Sequence, residues 1–311
     1  LKKYREEKKK REGLTYKPII IDVSHKNQGV VVNLKEQLFL KDKKKIVFVP
    51  EGSSEEGIQI SSKEWNCLFQ EDEKAYLNNG HVILSILNVK PQRVLAEVKQ
   101  GQKIRNGMVI TVPSTQKPPS VFDLAFIDTE PFQNLEIDYV LLPGISKPKH
   151  LNLIKEKLAA SGKHFPSLLL KVDSEAVCKN IDTLLESVGG VVLSRRPLAL
   201  SIHPATVPIV CKEIISKATQ RSKIVLVSSE TLHSMKRNLT PTRAEVSDIA
   251  NSAVDGIDAI VLSKEIAYGG HIKEALAVAQ KTIQAAESSA DLKANWLKTR
   301  KNSKDFLAPS S

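Results

Sequence analysis

From residue 137 onward the apolar residues change spacing in strict alternation, from compact aliphatic runs to a 3.6-residue period and back again. Ile137–Leu142 reads as a strand and is followed by Leu151, Ile154 and Leu158 on one helical face. Ser167–Val172 precedes Val177, Ile181, Leu184 and Leu185 in the same way, and Gly190–Leu193 precedes Val207, Val210, Cys211, Ile214 and Ile215. Lys223–Val227 leads into Val246, Ile249, Ala250 and Ala253, and Ile257–Leu262 into Ile272, Ala275, Leu276, Ala279 and Ile283. Consecutive strands buried on both faces, each followed by a helix, require a parallel sheet covered by helices, so the fold class is α/β. A barrel and an open doubly wound sheet both satisfy that pattern.

Upstream the texture differs. Pro18–Val23 is a short apolar run that reads as a buried strand, and residues 30–112 then carry β-branched runs separated by turn signals. These are Val30–Val32, Ile46–Val49, Ile58–Ile60, Ala75–Leu77, His81–Leu87, Arg93–Val98 and Met108–Val112, an all-β module. Asn79-Gly80 is the pair a type I′ hairpin turn calls for, because both central residues need positive φ. Residues 113–120, with three prolines, read as a linker. Thr242-Arg243-Ala244-Glu245, directly after Pro241, is a capping box that predicts a helix start.

The chain has 311 residues and a formal net charge of +11, which calls for an anionic partner: nucleic acid, an acidic protein surface or a phosphorylated ligand. Much of the excess lies at the ends. Residues 1–13 hold seven basic and three acidic side chains, and residues 288–311 hold five and two. Cys67, Cys178 and Cys211 lack C-x-x-C or metal-ligand spacing and read as reduced thiols in an intracellular compartment. No apolar run approaches the roughly 20 residues of a membrane span. There is no P-loop and no G-x-S-x-G, and the seven histidines read as surface or satisfied residues.

The segment Pro241–Gly269 begins Pro-Thr-Arg-Ala-Glu-Val-Ser-Asp-Ile-Ala-Asn-Ser and ends Val-Leu-Ser-Lys-Glu-Ile-Ala-Tyr-Gly, and it closely resembles the matching segment of pyruvate kinases. Gly190–Pro204 and Val225–Met235 resemble the strand-six and strand-seven segments of that family, and Leu170–Ser174 the end of strand five. The resemblance implies a partial TIM (β/α)8 barrel with an inserted small all-β B domain. It divides the chain into a basic N-terminal arm (1–16), barrel strand three (17–29), the B-like insert (30–112), the remaining βα units (113–287) and a basic C-terminal tail (288–311). Counterparts of barrel strands one and two and of the C-terminal domain are not recognised, so another chain, or an unseen part of this one, is expected to complete the barrel.

The same resemblance assigns candidate site residues. Lys171 matches the catalytic lysine that steadies the transferring phosphoryl group, and Ser229 replaces a threonine that contacts substrate. Asp173 matches a metal-binding glutamate but is one methylene shorter, against a magnesium shell that tolerates little distortion. The second metal carboxylate, in the family's Arg-Gly-Asp-Leu-Gly, is matched by Pro197 within Arg195-Arg196-Pro197-Leu198-Ala199, and Pro197 also lacks the N–H that would meet the substrate carboxylate. Arg196 stands in place of the glycine and is a candidate anion contact. Asp22 matches a potassium-site aspartate, while Val23 and Gly29 depart from the family's threonine and arginine.

These losses imply a pyruvate kinase-like pseudoenzyme serving as a structural subunit of a larger intracellular assembly. No cofactor is expected, with magnesium and potassium required if activity is retained. Partners implied are protein subunits, with the basic tails reaching an acidic tubulin surface in an axonemal or other microtubule-associated complex, or RNA in a mitochondrial ribosome. The alternative is a divergent pyruvate kinase with weak transfer from phosphoenolpyruvate to ADP, or a binding module that holds a ligand without turnover.

Overall fold

A computed structural model of the chain describes residues 18–23, 30–41, 43–61, 69–78, 80–112, 137–160, 166–228 and 231–288. The two terminal tails, the 113–120 linker, Gly29, Cys67, Asn79 and Ser229 lie outside the described residues. The structure falls into two compact units, Leu1–Gly189 with Arg196–Val207, and Gly190–Arg195 with Pro208–Ser311.

The first unit opens with β1 (Ile20–Asp22) and continues into the inserted β-rich region. That region contains β2 (Val30–Asn33), β3 (Leu38–Phe39), β4 (Lys45–Pro50), β5 (Ile58–Ser61), β6 (Lys74–Leu77), β7 (Val82–Lys90), β8 (Arg93–Gln100), β9 (Lys103–Ile104) and β10 (Val109–Thr111). Seven of these close into a barrel in the order β10-β2-β5-β4-β8-β7-β6, and β3 pairs with β9 as a separate two-stranded ribbon. Closure removes sheet edges altogether.

Period-two alternation drives this barrel: Val82, Leu84 and Ile86 on β7 and Val94, Ala96 and Val98 on β8 point inward and are buried. They join Phe48, Ile60, Leu77, Ile104 and Ile110 in one core, where Phe48 stacks on Phe69 with ring centroids 6.0 Å apart. Each fully buried side chain of this kind contributes about 1.5–3 kcal/mol. The β6–β7 turn is longer than the two-residue hairpin that Asn79-Gly80 predicts. Leu77 pairs with Val82, so four residues connect the strands, with positive φ at Asn78 (49°) and Gly80 (90°).

The parallel elements of this unit are β1, β11 (Tyr139–Leu142) and β12 (Ser167–Val172), side by side in that order. Asp22 is in register with Leu141, and Leu141 with Leu169. Helix α1 (Pro148–Ala160) connects β11 to β12 and buries Leu151, Ile154 and Leu158, the face the periodicity predicts. After β12 the expected single helix is two, α2 (Glu175–Lys179) and α3 (Ile181–Leu185). Asn180 leaves helical geometry at φ −109° and ψ 13° and divides them, while Val177, Ile181, Leu184 and Leu185 are still buried.

The second unit contains β13 (Gly190–Ser194), β14 (Ile224–Ser228) and β15 (Ala259–Val261), again parallel and in order. Gly190 is required here, since a Cβ on it would lie 2.3 Å from the Ile224 carbonyl oxygen. Helix α4 (Arg195–Ser201) begins where β13 ends and from Arg196 onward belongs to the first unit, while α5 (Val207–Gln220) buries Cys211, Ile214, Ile215 and Ala218. β15 is shorter than the Ile257–Leu262 run. Asp258 precedes it, its N–H donating to the Val225 carbonyl and its carboxylate accepting from the Val225 N–H at 2.8 Å.

Helix α6 (Arg243–Asp255) carries the predicted capping box: Thr242 Oγ1 accepts from the Glu245 N–H at 3.2 Å, and Glu245 Oε2 accepts from the Thr242 N–H at 2.8 Å. It ends at Gly256 in the left-handed conformation. A short α7 (Lys264–Ala267) leads to α8 (Ile272–Ser288). The predicted face of α8 is corrected. Ala275, Ala279 and Ala286 are buried, while Ile272 and Leu276 are 40% and 50% exposed. The small side chains let α8 approach α6, and Ala275 and Ala279 share a core with Ile249, Leu232 and Met235.

Candidate functional site

Parallel βα units place their functional side chains at the C-terminal ends of the strands. In the first unit those ends carry Asp22 on β1 and Lys171 and Asp173 at and just beyond the end of β12. Asp22 aligns through Leu141 with Leu169, and Lys171 lies two residues further along β12, on the same face. Lys171 Nζ accordingly donates to Asp22 Oδ2 at 3.2 Å across 149 residues of sequence. The carboxylate matched to a potassium ligand is thus engaged by an ammonium.

Asp173 shares that strand face and is buried. Burial pushes its carboxyl up to about 6 from an ordinary 3.8, against the opposing pull of the Lys171 charge, the Gly144 N–H, its own N–H and the Ser174 hydroxyl. Ser174 therefore gives its side chain to Asp173 and makes no cap bond at the start of α2. Ser201 Oγ takes that role, accepting from the Glu175 N–H at 3.0 Å. Asp173 Oδ1 is buried without a hydrogen-bond partner. Sequence reasoning does not single out Gly144, Ser174 or Ser201; a serine at a helix start beside an aspartate is the one signal available for them.

A divalent ion requires several oxygen ligands in close to octahedral order. The orphaned Asp173 oxygen is one such donor, yet among the described residues no group of three or more His, Cys, Asp or Glu side chains is placed to hold a metal. The position that the resemblance matches to a second metal carboxylate is Pro197, the third residue of α4. The first turn of a helix leaves its N–H groups free to meet an anion, and proline is tolerated there because it forgoes a donor the helix itself does not use. An anion at that turn would find one donor fewer. Among the described residues the side chains present do not fit the metal. Arg196, half-buried, lies beside Pro197 on the same turn.

In the second unit Arg195 makes a bidentate pair with Asp248 of α6, at 2.5 and 2.6 Å. Cys211 is buried nearby; desolvation pushes its thiol up to about 11, with the Arg195 charge pulling down and the Asp248 charge pushing up. Glu245 is held below its ordinary value. Burial would raise it, but the Ser234 hydroxyl and N–H and the Thr242 N–H and hydroxyl together outweigh that.

A set of parallel strands with a lysine and two carboxylates at their C-terminal ends, and a closed β barrel inserted after the first strand, defines a partial α/β barrel that carries an inserted β domain. Comparison with known proteins agrees with that class. The family model "Pyruvate kinase, barrel domain" matches residues 19–276, and the chain belongs to the pyruvate kinase family. It is 32% identical over 219 residues to the pyruvate kinase of Thermotoga maritima, covering 69% of this chain and 46% of that protein. It is 32% identical over 216 residues to that of Clostridium perfringens, with the same coverage of each. The crystal structure of a pyruvate kinase from Cryptosporidium parvum superposes with a TM-score of 0.79 at 22% identity, covering 92% of this chain and 60% of that one, a likeness of fold. The fold class is that of a partial (β/α)8 barrel with an inserted B-type barrel. The chain spans about half the length of the curated relatives it matches.

Proposed function

We propose that this chain is a catalytically inactive member of its family that serves as a structural subunit of a larger intracellular assembly. Pro197 carries the reading, because at the first turn of α4 it removes a metal carboxylate and an anion-binding N–H in one substitution. The loss of either costs several kcal/mol of transition-state stabilisation, on the order of 10³-fold in rate. Engagement of Asp22 by Lys171 supports it further.

Two features favour an assembly. Among the described residues β1 pairs only with β11 and β15 only with β14, so each has one side on which no described strand pairs. Tyr268 (77% exposed), Leu276 and Leu239 add uncovered apolar surface to the second unit. A partner that completes the barrel would cover such edges, and the basic tails would reach acidic tubulin or ribosomal RNA. The native mass and composition of gently purified protein test this. Recovery in a large particle is expected, and recovery as a free monomer refutes it.

A divergent pyruvate kinase is the second reading, favoured by the retained Lys171 and Asp173. It requires magnesium and potassium. Millimolar magnesium and phosphoenolpyruvate would then raise the melting temperature in a manner abolished in Lys171→Met; no shift is expected from the inactive reading.

A further inference from the structure

The β3–β9 ribbon stands apart from the closed barrel and presents an unusual outer face. Leu38 pairs with Ile104 and packs toward the barrel core, so the next pair, Phe39 with Lys103, faces the other way. Phe39 is 64% exposed. The ladder continues: the Leu40 N–H donates to the Gln102 carbonyl, the Lys43 N–H donates to the Val98 carbonyl, and the Val98 N–H returns to the Lys44 carbonyl. Lys45 then pairs with Glu97. The β3–β9 pair and the adjoining start of β4 and end of β8 therefore bring Lys41, Lys43, Lys44 and Lys45 of one segment near Lys99 and Lys103 of the other, with Phe39 beyond them. Glu97 is the acid facing them, at 2.5 Å from Lys99 Nζ, and the sequence adds Asp42, which lies outside the described residues. Lys43 sits at φ 62°, where a non-glycine residue is uncommon.

We infer that this face of the inserted barrel binds single-stranded nucleic acid, the lysines tracking the phosphates and Phe39 stacking on a base. Six lysines against two acids supply charge complementarity to a polyanion. The exposed aromatic ring decides between polyanions, because a stacking platform beside a basic track suits unpaired bases, whereas an acidic peptide has no use for it. The site uses none of the residues of the terminal tails or of the strand ends, and it stands whether or not the chain is catalytic.

Fluorescence anisotropy with a 5′-labelled 20-nucleotide oligouridylate and the full chain tests it. Phe39→Ala is expected to weaken binding at least ~5-fold, and Phe39→Trp to restore it with quenching of the new tryptophan on binding. Lys43→Gln with Lys99→Gln is expected to lower the slope of log affinity against log salt by about 1.4, at ~0.7 for each phosphate no longer neutralised. Circular dichroism confirms that each variant is folded, and the conservative Phe39→Trp keeps the stacking test intact should Phe39→Ala misfold. Binding unchanged in both Phe39→Ala and the lysine pair overturns the site, as does displacement of the oligonucleotide by polyglutamate at equal charge concentration, which would make the partner an acidic protein.

Discussion

Asp173→Asn is expected to stabilise the fold at pH 7.5 and to leave it unchanged near pH 4. The folded carboxyl titrates at about 6 against an ordinary 3.8, so between these values the native state holds a proton that the unfolded state has released. Stability therefore falls as pH rises through that window, and the penalty is complete above it. The gap of about 2.2, at ~1.36 kcal/mol for each tenfold change in proton affinity, corresponds to about 3 kcal/mol at most. An amide oxygen keeps the bonds from Gly144 and Ser174 but loses their charge assistance, which leaves a net gain of about 1–2 kcal/mol. Urea unfolding midpoints of the two proteins, taken at intervals from pH 4 to 8, should lie close at the acid end, diverge progressively above pH 4 and stay apart above pH 6. A variant that is less stable than the parent at pH 7.5 would refute the reasoning, since it would mean that the Lys171 charge outweighs the cost of burial.

Lys171→Met should extend the same pH window upward, because the lysine charge is the main influence opposing burial at Asp173; a stability profile that does not move would separate the two residues. Pro197→Asp combined with Asp173→Glu restores both family carboxylates and is expected to create a magnesium-dependent rise in melting temperature that neither single change gives. Thr242→Ala should cost about 1 kcal/mol by urea unfolding through loss of the α6 cap. Glu245→Gln should flatten the acid limb of stability, because a carboxylate held low contributes stability above its unfolded value and loses it as pH falls. Cys211 should resist alkylation by iodoacetamide at pH 8 until the chain is unfolded.

Local pattern is a reliable guide where one physical preference dominates. Ser167–Val172 is a strand over the very residues its apolar run marks, and the Thr242 capping box forms as written. Pattern fails where a tertiary bond intervenes. Asp258 commits its backbone and side chain to Val225 and shortens β15, and a single non-helical Asn180 splits a continuous apolar stripe into α2 and α3. The ribbon of β3 and β9 is two residues per strand, too short for any period to register, and that is why its exposed Phe39 escapes notice in the sequence. At the site, Lys171 and Asp173 are legible as neighbours on one strand face. The bond from Lys171 to Asp22 spans 149 residues and follows only from the register of β1, β11 and β12. The Arg195–Asp248 pair is hidden for the same reason, and the burial that sets the Asp173 titration has no local trace.

Ile110 of β10 lies opposite Val30 of β2, so the inserted barrel returns the chain almost to where it left. This bears on the order of events as the chain folds. β1 must wait for β11, 117 residues from Asp22 to Tyr139, before its parallel pairing can form. A barrel that closes first short-circuits that interval, leaving about 36 residues to be gathered, and by the logarithmic dependence of loop entropy it lowers the closure cost by about 1 kcal/mol. The insert thereby acts as a clasp on its host, and destabilising its core, at Phe48 for instance, should slow the formation of parallel pairing that it does not itself contain.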